Sequence, residues 1–170
     1  PRGSHLSHNS SPALICSVLA DVCDAMLFAY DNADKLLHRD LSFGNVVHYN
    51  EQGLLIDWHV AAKQQASSGN AGVITGTLMF TSPYLGESHS HTLLDDLISL
   101  FFVLLFIVSG ERLPWKRHLM SPNDVYNSKI ALLTDNTSFK NALEECDERM
   151  KTVLRTVRLR LELIPESLTS

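Results

Sequence analysis

The chain is short of cysteine, glycine, proline and positive charge, and each shortage excludes something. Three cysteines in 170 residues, an odd number, argue against a disulfide scaffold. Cys16 and Cys23 stand seven residues apart on one expected helix, about 10 Å along its axis and too far to bridge. Free thiols in a reducing, intracellular compartment, cytoplasmic or nuclear, are the expectation. With 8 Gly and 6 Pro the sequence is neither fibrous nor low-complexity. Its 14 basic residues face 19 acidic ones, a net charge of −5, which argues against nucleic acid or an anionic membrane as partner. The longest apolar run, Leu97 to Val108, is broken by Ser99 and at 12 residues falls short of the roughly 18–20 that span a bilayer. It is expected to be a buried core helix. Enough apolar material remains for a single sizeable core.

Ser11-Pro12 is a helix start, a hydroxyl for the N-cap and a proline at the first helical position. Leu14, Val18, Val22, Met26 and Tyr30 then recur at helical spacing, predicting an amphipathic helix over 12–30 that the polar run Asp31 to Asp34 ends. Residues 45–49 read as a strand, 50–53 as a turn and 54–56 as a second strand. A loop is expected over 63–76, a helix over 95–109 closed by Gly110, and another from Ser121-Pro122 to about Leu133. A last, interrupted helical stretch should run from Thr137 to about Leu163. The fold class is therefore mainly α, a helical bundle with one small hairpin. Residues 1–8, beginning Pro1-Arg2-Gly3-Ser4-His5, resemble an expression-tag remnant and are expected to be a disordered start, with no secretory signal after them. The domain is expected over 9–164, with a tail at 165–170.

The chemistry concentrates in His38-Arg39-Asp40-Leu41-Ser42-Phe43-Gly44-Asn45, followed by the hairpin and then Asp57-Trp58-His59. Two carboxylates and one amide thus stand at the ends of a tight hairpin. Phosphoryl transfer needs such a set: one carboxylate to orient the attacking hydroxyl, and an oxygen-rich pair to hold Mg²⁺ against the leaving phosphates.

These residues resemble a known family. His38 to Asn45 matches the protein-kinase catalytic loop H-R-D-x-x-x-x-N, and Asp57, 17 residues after Asp40, stands where the metal-binding D-F-G aspartate is expected. Gly76 to Pro83 resembles the end of a kinase activation segment, and Asp96-Leu97-Ile98-Ser99 the start of the central helix of the large lobe. With Ser42, Ile56-Asp57-Trp58 and Asp95-Asp96-Leu97 the sequence looks most like the fungal-type protein kinase domain, over roughly residues 12–133. The resemblance implies Asp40 as catalytic base, Asn45 and Asp57 as Mg²⁺ ligands, and Asp96 as the tie between the catalytic loop and the central helix. It implies Thr77 packed and hydrogen-bonded near Asp40, as in Ser/Thr kinases. Arg39 would meet a phosphorylated residue or serve as a structural cation. His38 is expected to brace the loop from the core rather than act as a base.

Departures from the pattern are as informative. Ser42 replaces the usual catalytic-loop lysine, His59 the D-F-G glycine, and Tyr84 the A-P-E glutamate, whose buried salt bridge is then lost. No Gly-rich phosphate loop, V-A-I-K lysine or partner glutamate is found, so the resemblance covers a large C-terminal lobe without its small lobe. Mg²⁺ and ATP are expected of a complete kinase, with neither expected to bind this chain strongly. A protein substrate or the missing small lobe is the expected partner. Self-association is also expected through apolar residues left uncovered near Val46, Val47, Leu54 and Ile56. Two alternatives stand beside this: a small-molecule phosphotransferase of the aminoglycoside or choline kinase sort, and a non-catalytic, pseudokinase-like binding module.

Other features have blander readings. His89 and His91 are expected on a solvated loop, and Trp58, Trp115, Phe101, Phe102 and Phe106 in packing roles. Arg155, Arg158 and Arg160 with Lys151 are expected on a solvated helix face.

Overall fold

The Ser11 hydroxyl accepts the Leu14 N–H (3.2 Å) and Pro12 supplies the first helical residue, so the chain enters helix α1, Pro12–Asn32, where its capping signal lies. The computed structural model describes residues 3–64, 77–85, 90–116 and 120–162. Along α1, Ile15, Val18, Leu19, Val22, Met26 and Tyr30 are buried. This helix is apolar and long enough to cross a membrane by length and composition alone. Its packing is that of a core helix: the buried face lies on a hairpin, and Asp21 accepts a backbone N–H from that hairpin (2.7 Å).

The hairpin pairs β2, Val46–Tyr49, with β3, Gln52–Leu55, after a two-residue strand β1, Leu36–Leu37. Asn50 and Glu51 both take positive φ (50° and 66°), as a two-residue hairpin turn requires. Gly53 is where α1 comes closest. A Cβ there would stand 2.1 Å from the Val18 carbonyl oxygen, so only hydrogen fits. A two-residue strand β4, Ala62–Lys63, pairs antiparallel with β1. It falls at the start of the expected 63–76 loop, whose remainder from residue 65 lies outside the described residues.

Helix α2, Leu93–Val108, is apolar on every side and buried on every side, which is how an all-round hydrophobic helix becomes the centre of a bundle. It begins two residues before the expected start. Thr92 is its N-cap, donating its hydroxyl (2.7 Å) and backbone N–H (2.9 Å) to the Asp95 carboxylate. Gly110, at φ 64°, follows its end. Helix α3, Pro122–Thr134, starts with a Ser121/Asp124 capping box. The expected last helix is two: α4, Asn136–Ala142, and α5, Glu148–Glu162, which packs on α2.

The start of the chain is not disordered from residue 3 onward. Ser4 and His48 exchange backbone hydrogen bonds (3.0 and 2.8 Å), Leu6 is buried, and Gly3 lies against the Val47 side chain. A strand-like bridge is a backbone property, so a tag-like composition does not preclude it. The segment covers β2, which corrects half of the expected open face. Val46 and Val47 are buried, whereas Leu54 (41% exposed) and Ile56 (43%) remain open.

Candidate active site

His38 is buried beside α2 and uses both ring nitrogens. Its Nε2–H donates to the Ile56 carbonyl (3.0 Å), its Nδ1 accepts the Asp40 N–H (3.3 Å), and its ring meets Trp58 edge-on at 4.7 Å. This tautomer is the one that satisfies both partners. The Asp96 carboxylate, also buried, accepts the backbone N–H groups of His38 (2.8 Å) and Arg39 (3.1 Å). One loop is therefore strapped to α2 by a charge-assisted pair of bonds. Arg39 is held at φ 70°, a left-handed conformation that the surrounding bonds enforce.

That strapping presents Asp40 at the hairpin mouth. Its Oδ1 accepts the Thr77 backbone N–H (3.1 Å), and Asn45 Nδ2 donates to its carbonyl (2.8 Å) and, more weakly, to its Oδ2 (3.4 Å). Thr77 thus reaches Asp40 through its main chain. Ser42 is buried and its carbonyl accepts the Asn45 N–H (3.1 Å), closing the 3₁₀ turn Phe43–Asn45 that leads into β2. Across the hairpin, the Ile56 N–H donates to the Asn45 carbonyl (3.0 Å), which sets Asp57 one residue beyond that pair. Asp57 itself is left-handed (φ 66°, ψ 60°), about half-exposed, and its carboxylate contacts His59 Nδ1. Trp58 donates Nε1–H to the Leu55 carbonyl (3.0 Å) and locks the following turn.

The donor set fits a hard cation. Among the described residues the Asn45 amide bonds through its nitrogen, leaving Oδ1 available, and the Asp57 carboxylate faces solvent. Oxygen donors of this kind suit Mg²⁺.

Several residues differ from the expectations for them. His91 is not on a solvated loop: its Nε2 meets Asp96 Oδ1 at 2.8 Å, and its side chain is largely covered. His89 and Gly76 lie outside the described residues. Arg158 is buried, donating Nε–H to the Leu133 carbonyl (2.7 Å) over the Phe139 ring, whereas Arg155 and Arg160 are exposed. Trp115 packs as expected against Phe102 and also donates Nε1–H to the Met79 carbonyl (2.8 Å). Sequence reasoning passes over Lys129 on α3 altogether. It is fully buried, with Nζ 2.5 Å from the Leu78 carbonyl and 2.6 Å from that of Thr81. Burial pushes its ammonium down to about 7. A neutral amine keeps two N–H groups for those two carbonyls, so both bonds survive loss of the charge.

A catalytic-type loop, a hairpin and a strand-end aspartate on a mainly helical body define a protein-kinase-like phosphotransferase fold. The family described as fungal protein kinase matches residues 1–108, so the match includes the ordered start at Gly3 to Leu6. The chain belongs to the fungal protein kinase family. Among solved structures it is similar to the kinase PK-1 of the Cydia pomonella granulovirus, with a TM-score of 0.62 and 14% identity. The superposition covers 91% of this chain and 52% of the viral one, so the chain spans about half the length of that kinase. No curated protein matches the sequence.

Proposed function

We propose that the chain is the large lobe of a fungal-type Ser/Thr protein kinase, one that moves the γ-phosphate of ATP to a protein hydroxyl. The carrying observation is Asp40, fixed from two sides by the Thr77 N–H and by Asn45 while the hairpin sets Asp57 beside them. In this reading Asp40 accepts the proton of the incoming hydroxyl. Asn45 Oδ1 and the Asp57 carboxylate would hold Mg²⁺, which when bound neutralises charge on the nucleotide phosphates. Asp96 and His38 keep the loop backbone in place, and Thr77 lies where the acceptor segment would enter. The adenine roof and the phosphate-anchoring lysine would come from a small lobe outside this sequence, seated over Leu54 and Ile56, and the lobe alone would transfer little. An intracellular setting fits the three free cysteines. One observation favours a non-catalytic module instead: His59 already contacts the Asp57 carboxylate.

The test uses a longer product that carries the small lobe. With Mg²⁺–ATP at 100 times its dissociation constant, unfolding should be opposed by about 2.7 kcal/mol, and Asp57→Asn should remove that gain. Phosphate incorporation into a Ser/Thr substrate should fall at least about a thousandfold in Asp40→Ala, if the base and its positioning both matter. Transfer that survives Asp40→Ala, or a nucleotide response indifferent to Asp57→Asn, would sink the reading.

A further inference from the structure

Among the buried charged groups of the described residues, Lys129 has no part in the kinase motifs. Its ammonium sits over the rings of Phe102, Trp115 and Tyr126, 5.3 to 6.0 Å from their centroids, and binds the carbonyls of Leu78 and Thr81. Burying a lysine costs free energy, so its presence in a well-packed core calls for a return in positioning or specificity. The carbonyls it holds belong to one hydrogen-bonded turn. The Thr77 carbonyl accepts the N–H of Phe80 (2.8 Å), the N–H of Thr81 (3.1 Å) and the Thr81 hydroxyl (3.0 Å). With the turn gripped at residues 78 and 81, its leading end is fixed. At that end the Thr77 N–H meets Asp40 Oδ1.

We infer that Lys129 is a positioning residue: from α3 it clamps the Leu78–Thr81 turn, and through that turn it holds the Thr77 N–H against Asp40. It anchors a segment in which Tyr84, exposed, stands in place of the A-P-E glutamate. The clamp works from within, carbonyl to ammonium, and needs no acidic partner on the segment. This rests on Asp40 as the proposed base for its functional meaning, although the clamp itself is a matter of geometry. The competing anchor is Trp115, which holds Met79 in the same turn.

Amide hydrogen exchange at Thr77, Phe80 and Thr81 separates these roles. Lys129→Met, which keeps the apolar stem, should speed exchange at all three by about tenfold or more while amides in α2 stay unchanged. Asp40→Ala should release Thr77 alone. Trp115→Phe should change Phe80 and Thr81 by less than about threefold, because Lys129 still holds. Unchanged protection in Lys129→Met, or a uniform rise that includes α2, overturns the clamp. So does a tenfold loss in Trp115→Phe, and that arm decides the matter even if Lys129→Met does not fold. The expected exchange pattern, together with phosphate transfer that survives Asp40→Ala in the longer product, would uphold the clamp and count against the phosphotransfer reading alone.

Discussion

The hairpin mouth and the helical base beneath it meet at Asp96, and they are built on opposite terms. At the mouth, Arg39 and Asp57 both take left-handed backbone conformations, and Asp57 is open to water. At the base, Phe101, Phe102, Val103 and Leu105 of α2 are sealed, and even a lysine is fully covered. The mouth has conformational cost and chemistry; the base has the burial that offsets the cost. A carboxylate left open to water cannot draw rigidity from its own burial, so the rigidity of the mouth has to come from elsewhere.

If that division holds, the largest loss of stability comes from the base. Phe102 is wholly buried, 5.0 Å from Trp115 and 5.3 Å below the Lys129 ammonium. Phe102→Ala should cost about 3–5 kcal/mol in urea unfolding. A loss below about 1 kcal/mol would mean that the base collapses around the cavity and is not a rigid support for the mouth.

The junction comes next. Asp96 joins the two regions, and its removal strands the His38 and Arg39 N–H groups and the His91 ring nitrogen. Leaving buried donors unmet predicts a loss of about 2–3 kcal/mol for Asp96→Ala. The comparison sharpens if exchange then rises at residues 38–40 and not in the middle of α2. A uniform rise would instead make mouth and base one cooperative unit.

How much of this the sequence discloses follows the same divide. The mouth is legible because its chemistry is local. His38 to Asn45 and Asp57 stand at fixed spacings, and Ser11-Pro12 and Ser121-Pro122 mark two helix starts to the residue. The base is legible only as apolar content. The β1–β4 pairing joins Leu36 with Lys63 and Leu37 with Ala62, distant in sequence and in two-residue pieces too short to carry a pattern. Lys129, Arg158 and His91 are polar residues that pattern rules assign to solvent. Lys129 and Arg158 are covered instead because their partners are backbone carbonyls far away in sequence, and His91 because its partner is the buried Asp96 carboxylate. The bridge from Ser4 to His48 is hidden for the same reason, being made by main-chain atoms that any residue could supply. Resemblance to a family points to Asp40, Asn45 and Asp57 and to Asp96 beneath them; it does not point to Lys129 or Arg158.

Lys129 offers the finest test of the contrast, because its charge reports how dry the base is. Its ammonium faces carbonyls and aromatic rings, and among the described residues no carboxylate is bonded to it. Those carbonyls and rings favour the charged form, and burial outweighs them, moving the group from an ordinary 10.5 down to about 7. Below pH 7 both folded and unfolded chains hold the proton, and the folded state bears the full cost of a buried charge. Between pH 7 and 10.5 the unfolded chain keeps the proton while the folded chain has released it. Proton uptake is then greater on unfolding, so stability should rise with pH, by at most about 1.4 kcal/mol per unit. Other groups titrate as well, which makes the difference between wild type and Lys129→Met the proper readout. Urea unfolding at pH 6.5, 7.5 and 8.5 should show wild type gaining on the variant at each step. Parallel profiles would mean that the lysine stays charged throughout, and that the base is wetter around Nζ than its packing implies.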